Sequence, residues 1–147
     1  MKYAQAQLGR IYVIRLEDGD ILHAAIEAFA REVGLSAAAV VAVGGADAGS
    51  RLVVGPRAGR SQPIQPMELL LTNVHEIAGA GTLFPDETGQ PVLHLHLAAG
   101  RAGTAVAGCV RSGVKVWQIM EVIVFELLGT TAARRPDPAT GLRLLQL

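Results

Sequence analysis

The chain has 147 residues, which fits one compact domain, and half of them are hydrophobic while 18% are charged. No apolar run approaches the ~18 residues of a membrane span, so we expect no membrane segment and a surplus apolar surface that forms a homo-oligomer interface. Thirteen basic and thirteen acidic side chains cancel, which argues against nucleic-acid binding. Cys109 is the only cysteine and no signal-peptide core opens the sequence, so we expect a cytoplasmic protein without an internal disulfide.

A strand and a helix are predicted at the start of the chain. Residues 11–16 form a β-branched and aromatic run that favours a strand. Asp20 then occupies an N-cap position, and Gly34 ends an apolar pattern with helical spacing. The members of that pattern are Leu22, Ile26, Phe29 and Val33. We therefore predict one amphipathic helix over about residues 21–33.

The remainder of the chain predicts strands separated by turns. The predicted strands cover residues 38–46, 50–55, 67–84 with a break at Thr72–Asn73, 92–99, 104–110 and 116–128. Prolines and glycines mark residues 55–66 as a loop and 85–91 as a turn, and the tail from residue 131 is loop-like until its last apolar residues. One helix among many strands predicts a single α+β domain over residues 1–147, with a mostly antiparallel sheet.

Two histidines share one face of the strand "VLHLHLAAG". Side chains alternate across a strand, so His94 and His96 point to one side and the leucines between them point to the other. A tight hairpin centred on Arg101–Ala102 would place Cys109 directly opposite His94, with Cβ atoms ~4.5–5.5 Å apart. Ala107 would lie opposite His96 and leave room. Hairpin geometry therefore gathers His94, His96 and Cys109 into one patch.

Two imidazoles and a thiolate are ligands that suit zinc or another divalent transition metal. Three protein ligands would leave an open position for water or a small-molecule ligand, as in catalytic zinc sites. The alternative interpretation is structural: strand histidines often pack in a core or an interface, and a buried cysteine often serves as a small hydrophobe. The sequence leaves both interpretations open.

Two further residues are candidates for the same patch. A tight return through "PDETGQP" would put Glu76 on the histidine face, whereas a one-residue bulge would put His75 there, so we keep His75 as a fourth candidate ligand. Glu121 would join that face if the "RSGVK" turn is symmetric. It could then orient an imidazole, pair with Arg111 or Lys115, or lie at a polar subunit contact; the last two are favoured.

Taken in order, five segments resemble the plant and prokaryote conserved (PPC) domain across nearly the whole chain. They are "IYVIRLEDGD", "VVAVGGADAG", "EIAGAGTLFPDETGQPVLHLHLAAG", "VAGCVRSG" and "MEVIVFEL". Many prokaryotic members of that family carry Gly-Gly-His where this sequence has "AGC", so Cys109 stands at the position of the family's histidine. The resemblance implies an α+β fold around a curved antiparallel sheet, and commonly a homotrimer.

The resemblance also bears on function. Prokaryotic members are often described as predicted DNA-binding proteins, whereas plant members carry a separate Arg-Gly-Arg-Pro AT-hook, which this sequence lacks. The PPC fold is similar to that of acetolactate decarboxylase, a zinc enzyme with an H-x-H ligand pair and a later histidine. His94, His96 and Cys109 fall at the matching positions, and a similarity of fold supports the metal more than the reaction.

These observations predict a cytoplasmic, oligomeric, metal-binding PPC-like protein with a binding or regulatory role. The first alternative is a small zinc-dependent lyase or hydrolase, which an open coordination position inside a pocket would favour. The second alternative is a DNA-binding regulator, which a basic stripe formed across subunits would favour.

Overall fold

The computed structural model describes residues 1–60 and 62–147, which form an eight-stranded antiparallel sheet, one α-helix and a two-stranded hairpin. The elements are β1 (Gln7–Glu17), α1 (Leu22–Val33), β2 (Ala38–Ala46), β3 (Arg51–Pro56), β4 (Pro66–Leu70), β5 (His75–Pro85), β6 (Pro91–Arg101), β7 (Thr104–Cys109), β8 (Val116–Leu128), β9 (Ala133–Pro136) and β10 (Arg143–Gln146). A 3₁₀ turn covers Val110–Ser112. The large sheet has the order β1-β8-β2-β5-β6-β7-β3-β4, and the predicted α+β fold is confirmed.

The helix forms where the apolar spacing predicts it, and one detail of its start differs. Gly34 adopts the left-handed conformation with φ 67° and ends the helix, as expected. Ile21 is the N-cap residue and makes no side-chain capping bond, so the predicted N-cap at Asp20 is wrong. The Asp20 carboxylate instead accepts a hydrogen bond from the backbone N–H of Glu17 at 2.9 Å, inside the preceding turn. Across the described residues, no helix has the length and apolar character needed to span a membrane.

The strand predictions agree with the structure except near the ends of the chain. Strand β2 has the predicted bounds, and residues 71–74 separate β4 from β5 at the predicted break. Strand β1 is longer than predicted because it continues alongside β8 as far as Gln7. The tail, predicted as mostly loop, forms the β9–β10 hairpin. Four-residue strands on either side of a proline-containing turn lack the alternation that identifies a strand.

The two faces of the large sheet differ in what covers them. Leu93, Leu95 and Leu97 of β6 point to the inner face and join the core with Leu22 and Ile26 of α1. On the outer face, one row of directly paired residues crosses seven strands: Val13, Ile123, Val41, Ala80, His96, Cys109 and Val53. The alternation of β6 therefore buries its leucines under the helix and presents its histidines on the opposite side.

Candidate metal centre

The β6–β7 hairpin positions the ligand candidates through a two-residue turn. Ala102 and Gly103 have φ 50° and 80°, the positive values that a type I′ turn requires at both central positions. The turn is therefore centred one residue later than predicted, and Cys109 pairs with His96. The predicted pairing with His94 is wrong by two residues. Because side chains alternate with a period of two, this shift changes the partner and keeps the face.

The three side chains converge closely enough to share one ion. The Nε2 atoms of His94 and His96 lie 3.1 Å apart, and the two rings meet edge to face. All three ligand atoms, including Cys109 Sγ, lie within 4.8 Å of one another. Tetrahedral zinc with Zn–N bonds of about 2.0–2.1 Å separates two nitrogens by roughly 3.3 Å and a nitrogen from a sulfur by roughly 3.6 Å. The histidine pair already has close to the required spacing, and each nitrogen–sulfur distance needs to shorten by about 1.2 Å or less.

Small neighbours keep space open around this group. Ala80 and Thr82 of β5 are the pairing partners of His96 and His94.

Gly108 precedes Cys109, and a Cβ atom there would lie 2.7 Å from the backbone carbonyl oxygen of Val53. The glycine therefore allows β3 to approach β7 beside the cysteine.

Two arginines set the electrostatics of the site. The Arg111 Nε–H donates to Cys109 Sγ at 3.4 Å, and Arg134 donates through Nη2 to Thr82 Oγ1 at 2.9 Å. Burial, and after it the positive charges of Arg134 and Arg111, lowers the pKa of His94. Since only the neutral imidazole binds a metal, this shift favours the ligating form. Burial, and then the charge of Arg111, also lowers the pKa of Arg134.

The structure does not bring His75 to this group. His75 is the first residue of β5, far along the strand from Thr82, the partner of His94. It pairs with Ala46, and its Nδ1 lies 2.8 Å from the backbone oxygen of Asn73. Its neighbour Glu76 pairs with Gly100, which shares a face with His94 and His96. The tight return through residues 85–91 therefore gives the register that excludes His75 from that face.

Glu121 is also distant from the cysteine, because the chain does not form a β7–β8 hairpin. Strand β8 lies between β1 and β2, and Glu121 pairs there with Arg15 and Val43. Glu121 shares the outer face with Cys109, but the predicted turn that would bring it beside the cysteine is wrong. Lys115, one of its suggested partners, pairs instead with Asp47 at 2.6 Å.

Two cavities open next to the ligand group. The larger, of about 660 Å³, is lined by the β3–β4 region together with His96 and Cys109. The smaller, of about 400 Å³, is lined by His94 and Arg134, and Arg111 lines both cavities. Sequence reasoning did not identify Arg111 or Arg134 as site residues. Arg111 follows Cys109 by two residues, so the predicted hairpin was the available signal for it. Arg134 has no such signal, since tertiary packing brings β9 to Thr82.

An eight-stranded sheet with one helix and this histidine-bearing hairpin defines a PPC-type domain. A match to the Plants and Prokaryotes Conserved (PCC) domain over residues 3–128 shows that the chain belongs to this family. The family resemblance drawn from the sequence is confirmed.

Solved structures of the same fold cover nearly the whole chain. A metal-containing protein from Archaeoglobus fulgidus is 26% identical with a TM-score of 0.87, and each chain covers 100% of the other. A PPC protein from Pyrococcus horikoshii is 22% identical with a TM-score of 0.86, covering 100% of this chain and 98% of its own. A Ralstonia eutropha JMP134 protein, described as a candidate DNA-binding protein, is 22% identical with a TM-score of 0.72, covering 92% of this chain and 90% of its own.

Curated relatives carry a similar segment within a much longer chain. The bifunctional protein GlmU of Synechococcus sp. strain JA-3-3Ab is 33% identical over 134 residues, and that of strain JA-2-3B'a(2-13) is 29% identical over 133 residues. Each match covers 90% of this chain but only 20% and 19% of those relatives. The chain thus spans about a fifth of the curated relatives it matches.

Proposed function

We propose that this PPC-domain protein binds zinc or another divalent transition metal through His94, His96 and Cys109, and that it has a binding or regulatory role. The observation that carries the proposal is the convergence of two imidazole nitrogens and one sulfur within 4.8 Å. These donor types suit zinc. The likeness to a metal-containing archaeal protein at 26% identity adds support.

The surrounding residues would prepare the site for a metal. Arg111 places a positive charge next to the Cys109 sulfur, which suits an anionic ligand, and the lowered pKa of His94 suits a neutral one. When bound, the metal would supply a positive centre that attracts and polarises a ligand oxygen. The adjoining cavities give a small molecule access to that position.

A small zinc-dependent lyase or hydrolase is the second candidate function. It is favoured by the same cavities, because three protein ligands would leave a coordination position for substrate and the cavities would admit a small molecule to the ligand group. Saturable turnover of a small carbonyl compound that vanishes with His96→Ala would favour this function over a purely binding role.

A DNA-binding regulator is the third candidate. The description of the Ralstonia protein supports it, and the zero net charge of this chain opposes it. Nanomolar binding to a defined duplex at physiological salt, with a strong base preference, would favour DNA binding over the first two candidates.

We also propose that the protein assembles as a homo-oligomer, with a trimer favoured, and acts in the cytoplasm. The outer face of β1, β8 and β2 exposes the aliphatic side chains of Ile11, Val13, Ile119, Ile123, Val41 and Val43. The pair Arg15 and Glu121 is the charged part of this surface. Exposed apolar area of this kind is typical of subunit contacts. A reducing compartment suits a site that depends on a free thiol.

Metal analysis of protein purified without an affinity tag tests the proposed function. We expect close to one equivalent of zinc or a similar metal per chain in the wild type, and a strong loss in His94→Ala and His96→Ala. His75→Ala is the matched control, since it removes a histidine from the same sheet outside the ligand group. Equal metal content in all four proteins would contradict the proposal.

A further inference from the structure

The smaller cavity lies where β7 ends and leaves one edge of β6 uncovered. Its walls come from α1, β6, the 3₁₀ turn and the C-terminal hairpin region. The backbone N–H of Leu93 on this edge donates to Glu27 Oε1 of the helix at 2.9 Å. The cavity is therefore built by elements from four parts of the chain.

Two residues that line this cavity each carry a buried polar atom with no hydrogen-bond partner among the described residues. The two atoms are Arg134 Nε and His23 Nδ1. Arg134 is only 6% exposed, and within residues 1–60 and 62–147 its guanidinium makes one hydrogen bond, from Nη2 to Thr82. A buried polar group without a partner destabilises the fold, and more so when it is charged. Two such atoms at one cavity point to a polar ligand.

The charges around the cavity specify the sign of that ligand. Arg143 is paired with Asp86 at 3.3 Å and Glu87 at 3.0 Å. Arg111 and Arg134 have no carboxylate within 4.0 Å among residues 1–60 and 62–147. Glu27 is the only acidic side chain lining the cavity in that part of the chain, so the wall formed by Arg111 and Arg134 is positively charged.

We infer that this cavity binds the carboxylate group of a small organic acid, anchored by Arg134 and assisted by Arg111. A carboxylate brings a single negative charge to these arginines, whereas a phosphate dianion would add repulsion against Glu27. The edge of a guanidinium presents two parallel N–H groups that match the two carboxylate oxygens. The Nε–H of Arg134 is buried and has no competing hydrogen-bond partner among the described residues, so a small movement of the side chain would let it join this arrangement.

This inference deepens the proposed function, and it rests on that function only for the ligand's position beside a metal. Thr82, the hydrogen-bond partner of Arg134, is the strand partner of His94. A carboxylate on Arg134 would therefore lie next to the first histidine of the metal-binding group. The carboxylate contact itself depends on the arginines and requires no metal.

Saturation-transfer NMR with acetate, in a chloride-free buffer, tests the inference directly. We expect wild-type protein to bind acetate and to ignore acetamide, which has nearly the same shape without the charge. Arg134→Gln should weaken acetate binding by about tenfold or more, the loss expected for a charge-assisted hydrogen bond. Arg135→Gln is the matched control, because Arg135 is the adjacent, exposed arginine and its loss should change nothing.

Additional measurements distinguish a failure of the carboxylate inference from a failure of the metal proposal. Acetate binding should persist after chelation, so loss of binding only in metal-free protein would overturn the arginine anchor while leaving the metal proposal intact. Equal binding of acetamide, unchanged binding in Arg134→Gln, or much tighter binding of inorganic phosphate than of acetate would each overturn the inference. If Arg134→Gln does not fold, Arg111→Gln should give a weaker loss of acetate binding, and no loss there would overturn the inference as well.

Discussion

The outer face of one sheet carries two chemically different halves. On β6 and β7 it presents imidazoles, a thiol and nearby arginines, under partial cover from the C-terminal hairpin. On β1, β8 and β2 it presents aliphatic side chains to solvent, and Val13 is 81% exposed. The same row of paired residues joins the two halves, so the sheet itself does not impose the difference. Side-chain choice along otherwise similar strands separates a surface suited to ligands from a surface suited to assembly.

A charge introduced among the exposed aliphatic side chains of β1, β8 and β2 (the apolar half) should dissociate the oligomer and leave the metal site intact. Ile123→Glu puts a carboxylate between Val13 and Val41, its partners on both sides. Burying that charge in a subunit interface is costly, so we expect light scattering to give a mass near the 15.4 kDa protomer instead of an oligomer. The zinc content per chain should not change.

Met67→Glu is the control for this experiment. Met67 is 41% exposed, close to the 38% of Ile123, but it lies on β4 at the far edge of the sheet. It should leave the oligomer unchanged. A wild-type protein that is already a protomer at micromolar concentration would refute the assembly proposal.

Zinc should stabilise the protein by binding to the histidine and cysteine side chains on β6 and β7. A ligand at a hundredfold excess over its Kd adds ~2.7 kcal/mol to the free energy of unfolding. For a domain of this size that corresponds to a rise in melting temperature of roughly 5–10 °C. We expect the rise in wild type and in His75→Ala, and we expect it to disappear in His94→Ala. The same zinc response in His94→Ala and wild type would leave the histidine pair as packing.

Alkylation of Cys109 tests whether this thiol is one of the metal ligands. If Cys109 binds the metal as thiolate, the metal should shield it from alkylation until a chelator is added. Because Cys109 is also 4% exposed, burial alone slows labelling, and the comparison must be made on metal-loaded protein before and after chelation. Equal labelling rates in the two states would remove Cys109 from the ligand set.

Local patterns in the sequence predicted much of this architecture. The helix, most of the strand bounds and the shared face of His94, His96 and Cys109 follow from periodicity, because alternation is a local property of a strand. Predicting which histidine pairs with Cys109 required the type of the β6–β7 turn. Gly103 at the second central position was the available signal, since a type I′ turn favours glycine there.

Other features depend on long-range packing that no local pattern encodes. The sequence gives no sign that β8 inserts between β1 and β2, and this placement removes Glu121 from the histidines. Arg134 lies in a proline-rich tail that resembles a loop, yet the β9–β10 hairpin buries it against Thr82. Predicting either feature requires the order of strands in the sheet.

The smallest expected effect concerns an ion pair between β1 and β8 on the helix-covered face of the sheet. Arg10 donates to the Glu126 carboxylate through Nη2 at 2.7 Å and through Nε and its backbone N–H at 2.8 Å. These bonds lower the pKa of Glu126 from 4.5 to about 2. A carboxyl whose pKa is lowered by folding stabilises the folded state above its unfolded pKa, and that contribution is lost as the pH falls from about 4.5 to about 2.

Glu126→Gln should therefore lower the melting temperature by a few degrees at pH 7, and the difference from wild type should shrink as the pH falls below about 4.5. Arg10 is half exposed, so solvent screening keeps the effect small. Glu121→Gln is the matched control on the same strand, because its carboxylate is exposed on the outer face and makes no ion pair among the described residues. A difference between wild type and Glu126→Gln that stays constant down to pH 2 would show that Glu126 contributes through packing and not through its charge.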